Sequence, residues 1–488
     1  MNKRKRVVII GAGPGGICAG IRLKHAGYDD FVILDKAPAI GGTWFHNRYP
    51  GCACDVQSHL YSFSFEIKRD WSRPYATQPE ILEYMQHCVD KYDLAPHLRL
   101  STEVTSAYWD DECTLWRVIT GTGEEIQADI VISALGMFND LNYPDIAGLD
   151  SFAGTMFHSA RWDHDHDLNG ERVAVIGTAA SAVQFLPTVA GRAGHLDVFQ
   201  RSANWVLPKV DETFTPEQLD EFRANPIAAR QLRWDVWRRV EGVITFSDPA
   251  MLKAAEEAGL RNLETVIDPE VRRKLTPHVP WGCHRPLSSN EYYPIYNQPN
   301  VELVTEAIQR IAPAAIVTVD GVERAVDTII LGTGFKTTRY LSALDVVGRG
   351  GQHINEAWDD GAQAYLGITT AGFPNLFMLY GPNTNNGSIL FMIECQVAYI
   401  LRQLERMTDE SLAWIDVRKD VMAHYNEELQ RDIDKVEVWQ AACHGYYRTP
   451  SGRIVTQWPH TMAEFRDRTM RPDPDAYDAH YGVPLGHL

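Results

Sequence analysis

Cysteine is scarce in this chain, 8 of 488 residues. That excludes a small fold stapled by disulfides. No two cysteines stand at a C-x-x-C or C-x-x-x-x-C redox spacing, and Cys52 and Cys54 make only a C-x-C. Reduced thiols in a cytoplasmic protein are therefore expected. No apolar run reaches the roughly 18 residues that a membrane helix needs. Positive charge is in deficit, with 46 Lys+Arg against 64 Asp+Glu and a net charge of −18. A chain this acidic repels phosphate backbones and anionic lipid surfaces, so neither nucleic acid nor membrane is an expected partner. Glycine is too sparse for collagen, and a hydrophobic content of 45% is too high for a disordered chain.

What is there is enough for about three domains at roughly 150 residues each. Lys3 to Arg6 followed by Val7 to Ile10 mimics a signal peptide. A glycine-rich turn and then Arg22, Lys24 and His25 follow instead, as a nucleotide-binding unit would have them. Val7–Ile10 reads as a buried strand, Ile17 to His25 as a helix stopped by Gly27, and Phe31 to Leu34 as the next strand. Helix signals return at Gln78 to Tyr92, and strand signals at Leu115 to Thr120 and Ile130 to Ala134. Tyr143 to Gly148 reads as a linker. Val173 to Ile176, the turn Gly177 to Ala182, a helix and Leu196 to Phe199 then repeat the opening strand–turn–helix–strand device. Residues 211–279 change to Glu, Arg, Leu and Ala, and Thr215 to Gln218 is a capping box with Pro at the first helical position. This stretch reads as a helical insertion, either a structural cap or a wall over a substrate pocket. The chain beyond about Tyr340 must complete one of the nucleotide units.

Gly11, Gly13 and Gly16 form G-x-G-x-x-G between a strand and a helix. The first allows the tight turn, the second lets backbone approach a pyrophosphate, and the third lets helix and strand pack closely. The helix N-terminus would hold the pyrophosphate. Asp35 follows at the distance of a ribose-binding acid. In the second turn Ala179 replaces the middle glycine and Ala182 the last, so that site is expected to be weaker or shifted. Arg201 follows the next strand with no acid beside it, which favours a 2′-phosphate and so NADPH over NADH. The fold class expected is α/β, with two Rossmann-like doubly wound dinucleotide-binding domains and a helical insertion. His164 to Asp167 alternates His and Asp, which reads as a solvated turn; no metal site is expected.

The resemblance then becomes specific. Phe152, Gly154, His158, Trp162 and Asp163 match F-x-G-x-x-x-H-x-x-x-W-P/D. Gly41, Gly42, Trp44, Asn47, Arg48, Tyr49, Pro50, Gly51 and Asp55 match G-G-x-W-x-x-N-R-Y-P-G-x-x-x-D. Gly282 to Pro286 is similar to G-C-K-R-P, and Gly381 to Asn385 is followed by Glu394 and Gln396. Together these resemble type I Baeyer–Villiger monooxygenases, in order along nearly the whole chain. The fingerprint around His158 and Trp162 is read as a domain-linker element rather than the chemical centre.

That resemblance implies an NADPH-dependent flavin monooxygenase. NADPH would reduce FAD, O2 would form a C4a-peroxyflavin, and a ketone would gain one oxygen to become an ester or lactone. Arg285 would be the catalytic cation and Asp55 the carboxylate that orients it as a bidentate pair. FAD would meet Gly11, Gly13, Gly16, Asp35, Gly42, Thr43, Trp44, Asp55, Tyr61 and the backbone near Val104. NADPH would meet Gly177, Thr178, Ala179, Ala180, Ser181, Ala182, Arg201, Ser202, His284 and Arg285, with Tyr446 near the nicotinamide ribose. His284 stands where many members carry Lys, and Tyr446 where many carry Trp. Residues 1–143 and 340–488 would form the FAD domain, 144–210 and 280–339 the NADPH domain, and 211–279 the insertion. Trp205 and Leu207 are expected to line the substrate pocket. The rivals are a flavin-containing N- or S-monooxygenase and a non-catalytic flavoprotein.

Overall fold

The structure is a computed structural model, and it describes residues 5–441, 445 and 447–481. Val7–Ile10 is buried along its whole length. An unbroken apolar run suits a parallel strand covered on both faces. It is the middle of a five-stranded parallel sheet, between Phe31–Leu34 and Ile130–Ser133, with Leu98–Arg99 and Leu376–Met378 outermost. A second five-stranded parallel sheet centres on Arg172–Ile176, between His195–Phe199 and Thr328–Leu331. Its outer strands are Val301–Val304 and Thr155–His158.

The two sheets share one strand order, so the repeat seen in the sequence is a repeat of topology. They differ in where the last strand comes from. In the first sheet it is Leu376–Met378, which follows the whole second unit in the chain. In the second it is Thr155–His158, which precedes that unit. Each sheet is accompanied by an antiparallel meander, Val104–Asp110 to Ala128 in one case and Ile308–Ala312 to Ala325 in the other.

The fingerprint segment forms that early strand and the turn after it. His158 is buried, with Nε2 at 3.0 Å from the Gly334 carbonyl and Nδ1 accepting from the Ala160 amide at 3.1 Å. Burial holds its imidazole below its ordinary pKa. Trp162 packs edge-on against Phe157 and tilted against Phe185 of helix Ala180–Ala190. At Gly154 a Cβ would stand 2.3 Å from the Asp327 carbonyl oxygen. These residues fasten the second unit to its own edge strand.

Residues 211–279 hold four helices, Pro216–Ala224, Pro226–Glu241, Pro249–Leu263 and Pro269–Leu275. Each begins with Pro, and each is capped by the side chain before it: Thr215, Asn225, Asp248 and Asp268. Pro lacks only an N–H that the helix start leaves unpaired, and the cap satisfies another. The Thr215–Gln218 capping box forms with both of its bonds. Among the described residues no helix is long and apolar enough to cross a membrane. The thiols are not all reduced as expected: Cys283 is disulfide-bonded, while Cys18, Cys52, Cys54, Cys88, Cys113 and Cys395 are free.

Candidate active site

At the first turn Gly11 takes φ +113°, and a Cβ there would lie 2.5 Å from the Ala134 oxygen. At Gly16 a Cβ would lie 1.9 Å from the Gly11 oxygen. Both positions therefore exclude any side chain. Gly13 is different. Its backbone is ordinary extended chain, and a Cβ would come no nearer than 3.5 Å to Gly42. Its missing side chain leaves space rather than relieving strain. Gly13 caps helix Pro14–His25 without a side-chain bond, so the first amides of that helix stay open to an anion. The Asp35 carboxylate accepts from the amides of Ala12 at 2.6 Å and Ala37 at 2.8 Å, one on each oxygen. Each oxygen keeps a lone pair for a ribose hydroxyl. This donor set and the open face at Gly13 fit a dinucleotide.

The second turn keeps the same backbone with more side chain. Gly177 takes φ +109° beside the Gly332 oxygen at 2.5 Å, which again admits only glycine. Ala179 caps helix Ala180–Ala190 in the extended conformation, again with no side-chain bond. Ala182 is buried and carries the methyl that Gly16 has no room for.

Asp55 ends a loop that docks on the second unit. Gln184 donates to the Ala53 carbonyl at 3.0 Å and accepts from the Tyr49 hydroxyl at 3.0 Å. Gly51 lies so close that a Cβ would reach 2.5 Å from the Gln184 backbone carbonyl oxygen. Arg285 comes from the segment between the insertion and strand Leu287–Ser288, which pairs with Val206–Leu207 just after Arg201 and Ser202. Arg285 Nε and Nη2 both donate to Oδ2 of Asp55, at 2.8 and 2.5 Å. Both of these donors converge on one carboxylate oxygen. The side chains are about a third exposed, 30% for Arg285 and 35% for Asp55, and face an open cavity. Nearby, Trp44 Nε1 donates to the Tyr61 hydroxyl at 3.0 Å. Burial raises the Tyr61 phenol above its ordinary pKa and pushes the Cys52 thiol up to about 12.

One cavity of 2610 Å³ joins these groups. Its walls include Gly11, Gly13, Asp35, Gly42, Thr43, Trp44, Asp55, Tyr61 and Val104 from the first unit. They also include Gly177, Thr178, Ala179, Ala180, Ser181, Arg201, Ser202, His284 and Arg285. Gly16 and Ala182 are absent from the walls, because both pack inward beneath their turns. Tyr446 lies outside the described residues. Trp205 and Leu207 do not line the cavity. Trp205 Nε1 instead donates to the Val279 carbonyl at 2.7 Å, and its ring packs on Gly259 of the insertion.

Several wall residues escaped the sequence reading. Ser133-Ala134-Leu135-Gly136 and Leu331-Gly332-Thr333-Gly334 end corresponding strands, and both loops line the cavity. A glycine at the same offset after each strand was the available signal, with φ +67° at Gly136 and +74° at Gly334. Glu306 follows the neighbouring strand Val301–Val304 and also reaches the cavity, so an acid does stand on that wall. Asn386, Gly387 and Ile389 bring in the N-terminus of the 21-residue helix Ile389–Asp409. Val236, Arg239, Val240, Val243 and Ile244 come from the insertion. The insertion is therefore a wall of the cavity, one of the two roles its sequence allowed.

Residues 8–227 match the pyridine nucleotide-disulphide oxidoreductase family. A Baeyer–Villiger monooxygenase from Pseudomonas aeruginosa is 43% identical over 480 residues, covering 97% of this chain and 91% of that protein. One from Streptomyces coelicolor is 41% identical over 98% of this chain and 93% of its own length. The crystal structure of cyclohexanone monooxygenase from Rhodococcus sp. Phi1 bound to NADP+ superposes with a TM-score of 0.88 at 32% identity, covering 98% of this chain and 99% of that one. With such identity over nearly its whole length, and with both nucleotide turns opening on one cavity, the chain belongs to the Baeyer–Villiger monooxygenase family, enzymes that use FAD and NADPH.

Proposed function

We propose that this enzyme inserts one oxygen atom of O2 beside the carbonyl of a small-molecule ketone, giving an ester or lactone. The observation that carries the reading is the Asp55–Arg285 pair on the wall shared by both nucleotide turns. Bound FAD, reduced by NADPH, supplies the activated oxygen. The chain supplies placement and charge. The open helix starts after Gly13 and Ala179 face the phosphates, and Asp35 accepts from a ribose hydroxyl. Arg201 and Ser202, exposed after strand His195–Phe199, read the 2′-phosphate together with His284. Thr43, Trp44, Tyr61 and Val104 shape the flavin side.

Arg285 remains protonated at any working pH and stabilises the oxyanion that develops on the attacked carbonyl. Asp55 is the positioning partner. The two bonds to Asp55 fix the direction in which the guanidinium points. We read residues 1–143 and 340–488 as the FAD domain and 144–210 with 280–339 as the NADPH domain. Strand Leu376–Met378 in the first sheet supports that division. The net charge of −18 supports a cytoplasmic setting.

The test is a panel of ketones, amines and sulfides under isotopically labelled O2, with products identified by mass. Ketones should yield esters or lactones carrying one labelled oxygen. Oxidised amines or sulfides with every ketone returned unchanged would reject this reading in favour of heteroatom oxidation.

A further inference from the structure

On helix Pro226–Glu241 the cavity-lining residues are Val236, Arg239 and Val240, with Val243 just beyond its end. Their spacing of three and four places them on one face. Three are apolar; the fourth is a guanidinium. The helix is held at its middle and at its C-terminal end. Arg233, half-buried, donates to the carbonyls of His59, Leu60 and Ser62 at 2.9, 3.0 and 2.8 Å. The Glu241 carboxylate accepts from the amides of Met462 and Ala463 at 2.8 and 2.7 Å. Arg239 therefore sits on a fixed element, not on a loop.

Asp235 on the same helix feels the charge of Arg239, which lies exposed at the cavity wall and is closed by no ion pair among the described residues. The neighbouring Arg238 pairs with Asp235. Arg239 instead donates to a neutral group, Gln57 Oε1, at 3.0 Å, and pairs with no carboxylate among the described residues. Gln57 lies two residues past Asp55, and the Tyr75 phenol hydrogen-bonds it from the other side. Arg239 is thereby fixed to the segment that carries Asp55, facing the cavity that Arg285 faces. We propose that Arg239 is the carboxylate-binding residue of the substrate pocket, and that the enzyme prefers ketones with an aliphatic body and a carboxylate at the far end. The aliphatic body would lie along Val236, Val240, Val243 and Ile244, and the carboxylate would meet the guanidinium. This rests on the ketone reading above.

The test uses the FAD-loaded enzyme with linear methyl ketones ending in a carboxylate, in a series of chain lengths, and with their methyl esters. The quantity read is the ratio of kcat/KM for each acid to that for its ester. A charge-assisted contact at a partly solvated site is expected to favour the acid about tenfold. Arg239→Gln should bring the ratio down about tenfold, and Arg239→Lys should restore most of it. An unchanged ratio in Arg239→Gln overturns the proposal. So does a raised NADPH KM with the ratio intact, which would assign Arg239 to the coenzyme. If no ketone is oxygenated, the ketone reading fails, and calorimetry with saturated fatty acids of the same lengths still tests the subsite. Weaker binding to Arg239→Gln than to wild type supports it, and equal binding overturns it.

Discussion

Gly13 and Ala179 cap their helices with nearly the same backbone, φ −77° and ψ −171° in one, φ −87° and ψ −166° in the other. Neither position demands glycine for its conformation. Three residues on, the turns part. Gly16 sits where a Cβ would be 1.9 Å from the Gly11 oxygen, while Ala182 is buried with its methyl in place. One topology has been built at two tightnesses. The tighter turn suits a nucleotide that never leaves, and the looser one suits a coenzyme that must come and go.

The two turns should differ most at Gly16. Gly16→Ala drives a methyl into backbone, at an overpacking cost of about 1–3 kcal/mol. FAD affinity should fall by up to about a hundredfold, whereas Ala182→Gly should leave NADPH kinetics almost unchanged. FAD content after purification reads the first effect. Full FAD occupancy in Gly16→Ala would show that the tight turn is not what retains the flavin. Next in size, Arg201→Ala removes a charge-assisted contact and should raise the NADPH KM about tenfold with little change for NADH. Equal losses for both coenzymes would remove Arg201 from the phosphate site.

Ala179→Gly removes the one methyl that separates this helix start from its counterpart at Gly13, and opens it equally to a pyrophosphate. It should lower the NADPH KM about threefold, by analogy with the weak end of such contacts. A rise instead would mean that the methyl packs on the coenzyme. The smallest effect concerns His46, on the cavity wall beside the first turn. Burial, then Arg161, Lys36 and Arg48, lower its pKa to about 4. Its neutral form is the folded one, so its contribution is complete above the unfolded value near 6.5 and is lost as pH falls toward 4. The apoprotein should melt about 2 °C lower across that window, and His46→Gln should flatten the slope. An unchanged slope would show that the first cradle carries no such proton linkage.

Much of the tight turn was legible in the sequence. Gly11, Gly16 and Asp35 are fixed by backbone geometry within one strand–helix–strand unit, where spacing and structure say the same thing. The Asp55–Arg285 pair was not legible from spacing, since 230 positions separate the two residues; only the resemblance put them together. The entry of Leu376–Met378 into the first sheet was equally hidden, because three apolar residues do not say which sheet they join. Trp205 shows the converse error. An aromatic after the Arg201 strand looks like a pocket wall until the insertion folds over it and takes its indole N–H. Periodicity reveals that helix Pro226–Glu241 has an apolar face, but not that the face meets a cavity with Arg239 in its midst.

Arg285, turned by Asp55, acts on the oxygen-insertion step over and above its contact with the coenzyme. Arg285→Ala should still bind FAD and consume NADPH. Its ester yield should fall about 10²–10³-fold, as when one preorganised donor is removed, and the consumed O2 should appear as hydrogen peroxide. Asp55→Ala should lose less, since the charge remains and only its orientation is gone. The measurement is ester formed per NADPH oxidised, in wild type and in both variants. Ratios ordered wild type, Asp55→Ala, Arg285→Ala, with peroxide rising in step, are the predicted result. An Arg285→Ala enzyme that makes ester at the wild-type ratio would contradict the account.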